Sequence, residues 1–207
     1  MEAKDYLKDI QDIKTMMTQS SRFVSLSGLS GILAGIYSLI GAWLVNRTID
    51  FDTITNGNYS DVVISYDISI RLFIIAASVF IISLATCIVL SYKKASKTNE
   101  EIWNTASKRL LVNFSIPLFT GGFLILFLIE KEMLNLVAPL TLIFYGLACV
   151  NASKYTLGDV RYLGLTLIIL GLISTWYLSY GLLFWGLGFG VCHIVYGSIM
   201  HFKYDRK

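Results

Sequence analysis

The chain has 207 residues, 55% of them hydrophobic and only 15% charged, with a mean hydropathy of +0.65. A soluble domain carries about 25% charged residues, so this composition argues against a water-soluble fold and makes lipid the solvent for much of the surface. The net charge of +3 is small, and no basic stripe with interleaved aromatics lies outside the apolar runs, which argues against nucleic acid as a partner.

Residues 1–22 precede the first apolar run. Within 2–17, Tyr6, Ile10, Ile13 and Met17 share one helical face, while the charges around them are mixed in sign. Membrane-surface helices usually carry a strongly basic polar face. This short amphipathic helix is therefore expected to pack on its own bundle, on a second copy in a homo-oligomer or on a partner membrane protein. The run that follows starts near Phe23 and is longer than the ~7–15-residue core of a signal peptide, so it reads as a retained span.

Six spans are expected, over residues 23–45, 70–90, 110–129, 133–152, 162–178 and 182–202. The last two come from one apolar run, Tyr162 to Phe202. As a single helix it would be about 60 Å long, twice the hydrocarbon thickness, so it must fold back at Ser179-Tyr180-Gly181. The loop 46–69 contains Asn56-Gly57, a hairpin-turn signal, and its acids Asp50 and Asp52 do not complete a calcium-loop pattern. Between spans two and three, Thr98-Asn99-Glu100-Glu101 fits a capping box that would open a helix carrying Trp103. Residues 203–207 form a short polar tail. All of the 17 Lys and Arg except Arg47, Arg71 and Lys131 fall on one side of this arrangement, which puts both termini in the cytoplasm. The fold class is thus all-α: a polytopic transmembrane bundle of six helices, arranged as three consecutive hairpins in the simplest topology.

Small residues mark where helices touch in lipid. Gly31 and Gly35 lie on a small-residue stripe in span one, and Gly186, Gly190 and Gly197 on another in span six, with Gly164 and Gly171 in span five. These faces are expected to pack on one another or across a homo-oligomer. Asn113 precedes Pro117 by four and Asn135 precedes Pro139 by four, so each proline would free an asparagine carbonyl and kink its helix. One pair falls near the inner face and the other near the outer, as in an inverted repeat, although with only two prolines coincidence is the better explanation.

No Asp, Glu, Lys or Arg sits near the middle of a span, which disfavours ion-coupled transport. The polar residue at depth is His193, on the glycine stripe of span six. Tyr196, His201, Asn151, Tyr155, Asp159, Arg161 and Tyr162 belong to the same side and are candidates to line an inward-facing pocket with it. The plain alternative is a histidine hydrogen-bonded to a facing carbonyl or hydroxyl. His193 and His201 are two turns apart, about 12 Å, too far to share a metal ion. Cys87, Cys149 and Cys192 all lie in apolar runs and read as small buried residues. There is no nucleotide, zinc-protease or dinucleotide motif, so no cofactor or metal is expected.

Two resemblances bear on these residues. Gly28-Leu29-Ser30-Gly31 resembles the GxSG signature of rhomboid intramembrane proteases, which implies a Ser30–His193 dyad as the catalytic pair. The serine here lies on span one rather than span four, and no oxyanion-hole residues match. The stretches Ser21–Ile36, Asn151–Leu165 and His193–Gly197 resemble those of a bacterial family of uncharacterised six-span membrane proteins. That resemblance implies a bacterial inner-membrane location and brings no activity with it. Three functions remain open: a non-enzymatic structural, regulatory or assembly protein; a small transporter or channel built on kinked spans three and four and the His193 pocket; and an intramembrane hydrolase.

Overall fold

A computed structural model describes residues 23, 25–49, 66–98 and 101–205. Within them the secondary structure is helical, and no strand occurs. The expected amphipathic helix over 2–17 and the expected hairpin in the loop lie outside the described residues. Helix α1 is Gly28–Thr48, α2 Tyr66–Thr98, α3 Thr105–Glu130, α4 Val137–Ala152 and α5 Val160–Trp176. The last helical stretch, α6, is Leu178–Asp205. Five of these are long and apolar enough to cross a membrane, α4 together with the helical turn Leu134–Leu136 that leads into it. The 17 residues of α5 reach about 26 Å, slightly under the hydrocarbon thickness.

The ends of these helices follow from local chemistry. Helix α3 starts at a reciprocal capping box: the Ser107 amide donates to the Asn104 side chain at 2.8 Å and the Asn104 amide donates to the Ser107 hydroxyl at 3.0 Å. The box expected at Thr98 is not used, because Thr98 is still inside α2. Helix α3 ends in a Schellman turn. Glu132 takes φ 58°, the Met133 amide donates to Leu128 O at 2.8 Å, and the Glu132 amide donates to Ile129 O at 3.1 Å. The charged turn Glu130-Lys131-Glu132 thus closes the α3–α4 hairpin. A second reversal, the tight turn Leu178–Tyr180, splits the long apolar run where its length required.

Helix α1 begins at Gly28, not Phe23. Phe23, Ser25 and Ser27 are buried in non-helical chain that threads into the end of the bundle. The Phe23 amide donates to Tyr155 O at 2.8 Å, and the Thr156 hydroxyl donates to Phe23 O at 2.7 Å. These bonds to the α4–α5 connection satisfy backbone groups that a helix would otherwise have to satisfy. At the other terminus the helical stretch continues through Asp205, past the expected end at 202.

Helices α1 and α6 pack closely, α1 also packs on α2, and α4 packs on both α3 and α5. The fifth helix leans mainly on the fourth, while the sixth crosses over to the first. Of the three pairs expected as hairpins, α1–α2, α3–α4 and α5–α6, the last packs least. Leu142, Leu163 and Leu167 form a core where α4 and α5 face Phe184, Phe189, Cys192 and Tyr196 of α6.

Candidate functional site

Two groups of polar residues organise the bundle: one around His193, the other where Gly28 and Asp205 meet. Their positions follow from how α6 is wound. It is α-helical over Gly181–Trp185 and His193–Met200, and π-helical over Gly186–Cys192 and His201–Asp205. Glycines at 186, 188 and 190 lower the steric barrier to that wider winding.

His193 is 6% exposed and both its nitrogens are taken. Nδ1 lies 3.0 Å from Gly188 O and Nε2 lies 3.1 Å from the Tyr145 hydroxyl. A carbonyl only accepts, so Nδ1 carries a proton, and in the neutral ring Nε2 accepts from Tyr145. The imidazole is held between α4 and its own helix. Phe189 stacks on it at 5.8 Å, and Tyr145 packs edge-on against Phe114 and Phe189. This is the hydrogen-bonded histidine of the plain alternative, packed in aromatic rings.

The residues expected to line a pocket with His193 are dispersed among other partners. Tyr196 pairs with Thr166 at 3.3 Å. Asn151 donates to Asn113 O at 2.9 Å. Asp159 accepts from Lys203 at 2.8 Å. Tyr155 meets Phe23 through its backbone, and Arg161 and Tyr162 are exposed. His201 turns to Asp205 at 3.1 Å. The arrangement is a set of separate ties. Surface recesses of about 510 Å³ lie on α3 and at the far end of α1 and α6, away from His193.

Ser30 is buried and donates to Ser27 O at 2.6 Å, as an i−3 back-bond. With both imidazole nitrogens engaged elsewhere, Ser30 and His193 share no hydrogen bond. The geometry gives the dyad no base for its nucleophile.

Pro117 lies inside α3 and frees the carbonyl of Asn113, and Asn151 of α4 fills it. Pro139 is different. It is the third residue of α4, where amides have no helical acceptor in any case, so it frees no carbonyl at Asn135 and makes no mid-span kink. The inverted-repeat expectation fails on that position.

The group where Gly28 of α1 meets Asp205 of α6 was not foreseen. Asp205 Oδ1 accepts from Lys94 of α2 at 2.7 Å, and Oδ2 accepts from the Gly28 amide at 2.9 Å. Lys94 also donates to Leu26 O at 3.1 Å. One carboxylate therefore caps the start of α1, pairs with Lys94 of α2 and receives His201. The available signal was the His201–Asp205 spacing of four, which marks one helical face running past the apolar segment. Tyr145 carried no signal beyond an apolar context.

The glycine faces meet inside one chain. A Cβ on Gly35 would lie 2.6 Å from Gly190 O, and one on Gly197 would lie 2.6 Å from Ile32 N. Gly31 faces the Gly197 Cα, whereas Gly186 has only the Ala42 Cβ nearby, at 3.8 Å. A second seam joins Gly146 and Gly164, each facing the other's carbonyl, and Gly171 faces Pro139 O.

No family model matches the chain, and no curated protein or solved structure matches it. The functional reading therefore rests on these contacts alone.

Proposed function

We propose that the chain is a multi-pass membrane protein with a non-enzymatic structural, regulatory or assembly role, acting through helix–helix contacts in a bacterial inner membrane with both termini in the cytoplasm. The apolar helices support the membrane reading. The observation that carries the role is the saturation of His193. A buried imidazole with Nδ1 on Gly188 O and Nε2 on Tyr145 fixes α6 against α4 and leaves no lone pair for a substrate. Back-bonded hydroxyls such as Ser38 on Ala34 O and Ser198 on Ile194 O belong to the same pattern, in which polar groups at depth serve the helices themselves.

Native mass spectrometry of the full chain extracted from its own membrane tests this reading. A homo-oligomer, or a complex with another membrane protein that is lost when residues 1–20 are deleted, is the expected result. A small polar metabolite retained by the chain and lost in His193→Ala would overturn it in favour of the transport reading.

A further inference from the structure

The recess at the far end of α1 and α6 is built differently from the seam below it. Along the seam, glycine carbonyls and α-carbons touch. Near Gly186 the two helices part, and a Cβ there would meet only Ala42, at 3.8 Å. The result is an open groove of about 510 Å³ along the surface, walled by Leu39, Leu187 and Val191, each more than a third exposed. Its mouth is different in character: Trp43, Asn46, Ser179 and Tyr180 line it. The guanidinium of Arg47 lies over the Trp43 ring at 5.4 Å, and no carboxylate pairs with it among the described residues. An apolar slot that opens under an aromatic, hydrogen-bonding and cationic rim has the polarity of a phospholipid: acyl chain below, phosphate above.

We propose that this slot holds one acyl chain of an anionic phospholipid, with its phosphate at Arg47. The inference rests on the membrane reading. The occupant follows from charge and shape together. A second copy of this chain would have to place an anionic group over Arg47 and a narrow apolar ridge beside Gly186. A phospholipid carries both in one molecule. Arg47 suits the role because its planar guanidinium can stack on Trp43 and still direct donors at a phosphate.

The test uses the full chain reconstituted in vesicles of phosphatidylglycerol and phosphatidylcholine, then released for native mass spectrometry. One phosphatidylglycerol per chain is expected to survive release. Gly186→Leu fills the slot and is expected to cut the retained fraction about tenfold. Arg47→Gln is expected to cut it about fivefold and to remove the preference over phosphatidylcholine. Gly122→Leu is the control, placed where a Cβ meets nothing within 4 Å. Equal retention in Gly186→Leu overturns the proposal, as does equal retention of both lipids by the unmodified chain. A dimer that Gly186→Leu converts to monomer would assign the slot to a second copy instead. A chain that does not enter the vesicles refutes the membrane reading itself, whereas one that inserts and retains no lipid refutes only the slot.

Discussion

The α1–α6 seam and helix α2 flank the same helix, yet they are held by opposite means. In the seam the backbones themselves touch, through Gly28, Gly31, Gly35, Gly190 and Gly197. Helix α2 packs on the other side of α1, and Phe73, Phe80, Ile81 and Ile88 on it are more than half exposed. At mid-depth Val79 lies against Gly41, and at the chain-terminal end Lys94 reaches Asp205. Lipid offers no hydrophobic force between helices, so close packing and hydrogen bonds must do the joining. The seam takes the first route along its length, and α2 takes the second at one end. The difference teaches which helix can move: one set on backbone contact has no neighbouring minimum, whereas one held by side chains, Val79 against Gly41 and Lys94 on Asp205, can shift as those side chains change rotamer.

The largest effect is expected in the seams. Gly35→Leu and Gly146→Leu each drive a side chain into backbone, at Gly190 O and Gly164 O. The loss should be about 3 kcal/mol, read as a lowered midpoint in denaturant titration of the micellar protein. Gly122→Leu, on the open face of α3, should change the midpoint by less than about 0.5 kcal/mol. If the three variants behaved alike, the seams would not be the rigid part of the bundle.

Next comes the His193–Tyr145 tie between α6 and α4. Tyr145→Phe leaves Nε2 buried without its donor and should cost about 1–3 kcal/mol. Adding His193→Phe should cost less than the two single changes together, with a coupling of about 1 kcal/mol. Strict additivity would show that the 3.1 Å contact contributes nothing.

The helices were legible in the sequence because their signal is long and one-dimensional. A run of twenty apolar residues and the excess of Lys and Arg on alternate connections do not depend on what lies beside them. A fold-back was required by length and expected at 179–181 from the polar and glycine residues there; it falls at 178–180. The small-residue faces at 31, 35, 190 and 197 were visible too, since spacing on a helix is local information. Partnership was not. Whether those glycines met in one chain or across two depended on α6 returning to α1, which no local pattern encodes. Gly146 was missed because it stands alone in an apolar run. Asp205 was hidden for a further reason: it lies in a polar tail by composition, and only the continued helix brings it to Gly28 and Lys94. Grouping His193 with Asp159, Asn151 and His201 was an inference from depth, and shared depth does not mean a shared face.

The Asp205 tie separates α2 from the rest most directly. Asp205→Ala removes the acceptor for Lys94 and for the Gly28 amide. The two side chains of the ion pair are 18% and 11% exposed, so the cost should lie between that of surface and buried pairs, about 1–2 kcal/mol. Its signature is local. Amide exchange in the last turns of α2, near Ser91–Lys97, should quicken about tenfold while α4 and α5 are unchanged. Uniform acceleration through all helices would mean that α2 and the seam unfold as one unit.

The smallest effect is expected at the other ion pair of this end, and its pH dependence sharpens the comparison. Asp159 accepts from Lys203, with a further hydrogen bond from Tyr204, and these hold its carboxyl below the usual range against the opposing effect of burial. A carboxylate with a depressed folded pKa stabilises the fold above its unfolded value, near 3.9, and loses that contribution as pH falls through the folded value. Lys203→Gln should therefore lower stability slightly at pH 7 and leave it unchanged once the carboxylate is protonated, well below pH 4. Lys203 is more than half exposed, so salt screens the pair and 1 M sodium chloride should erase the difference at pH 7. Asp159 opens α5, which the glycine seam already binds to α4, so losing this tie should not quicken exchange in α5. If Lys203→Gln loosened α5 as Asp205→Ala loosens α2, side-chain ties rather than glycine contacts would hold both halves of the bundle. The contrast between the seam and α2 would then have no physical basis.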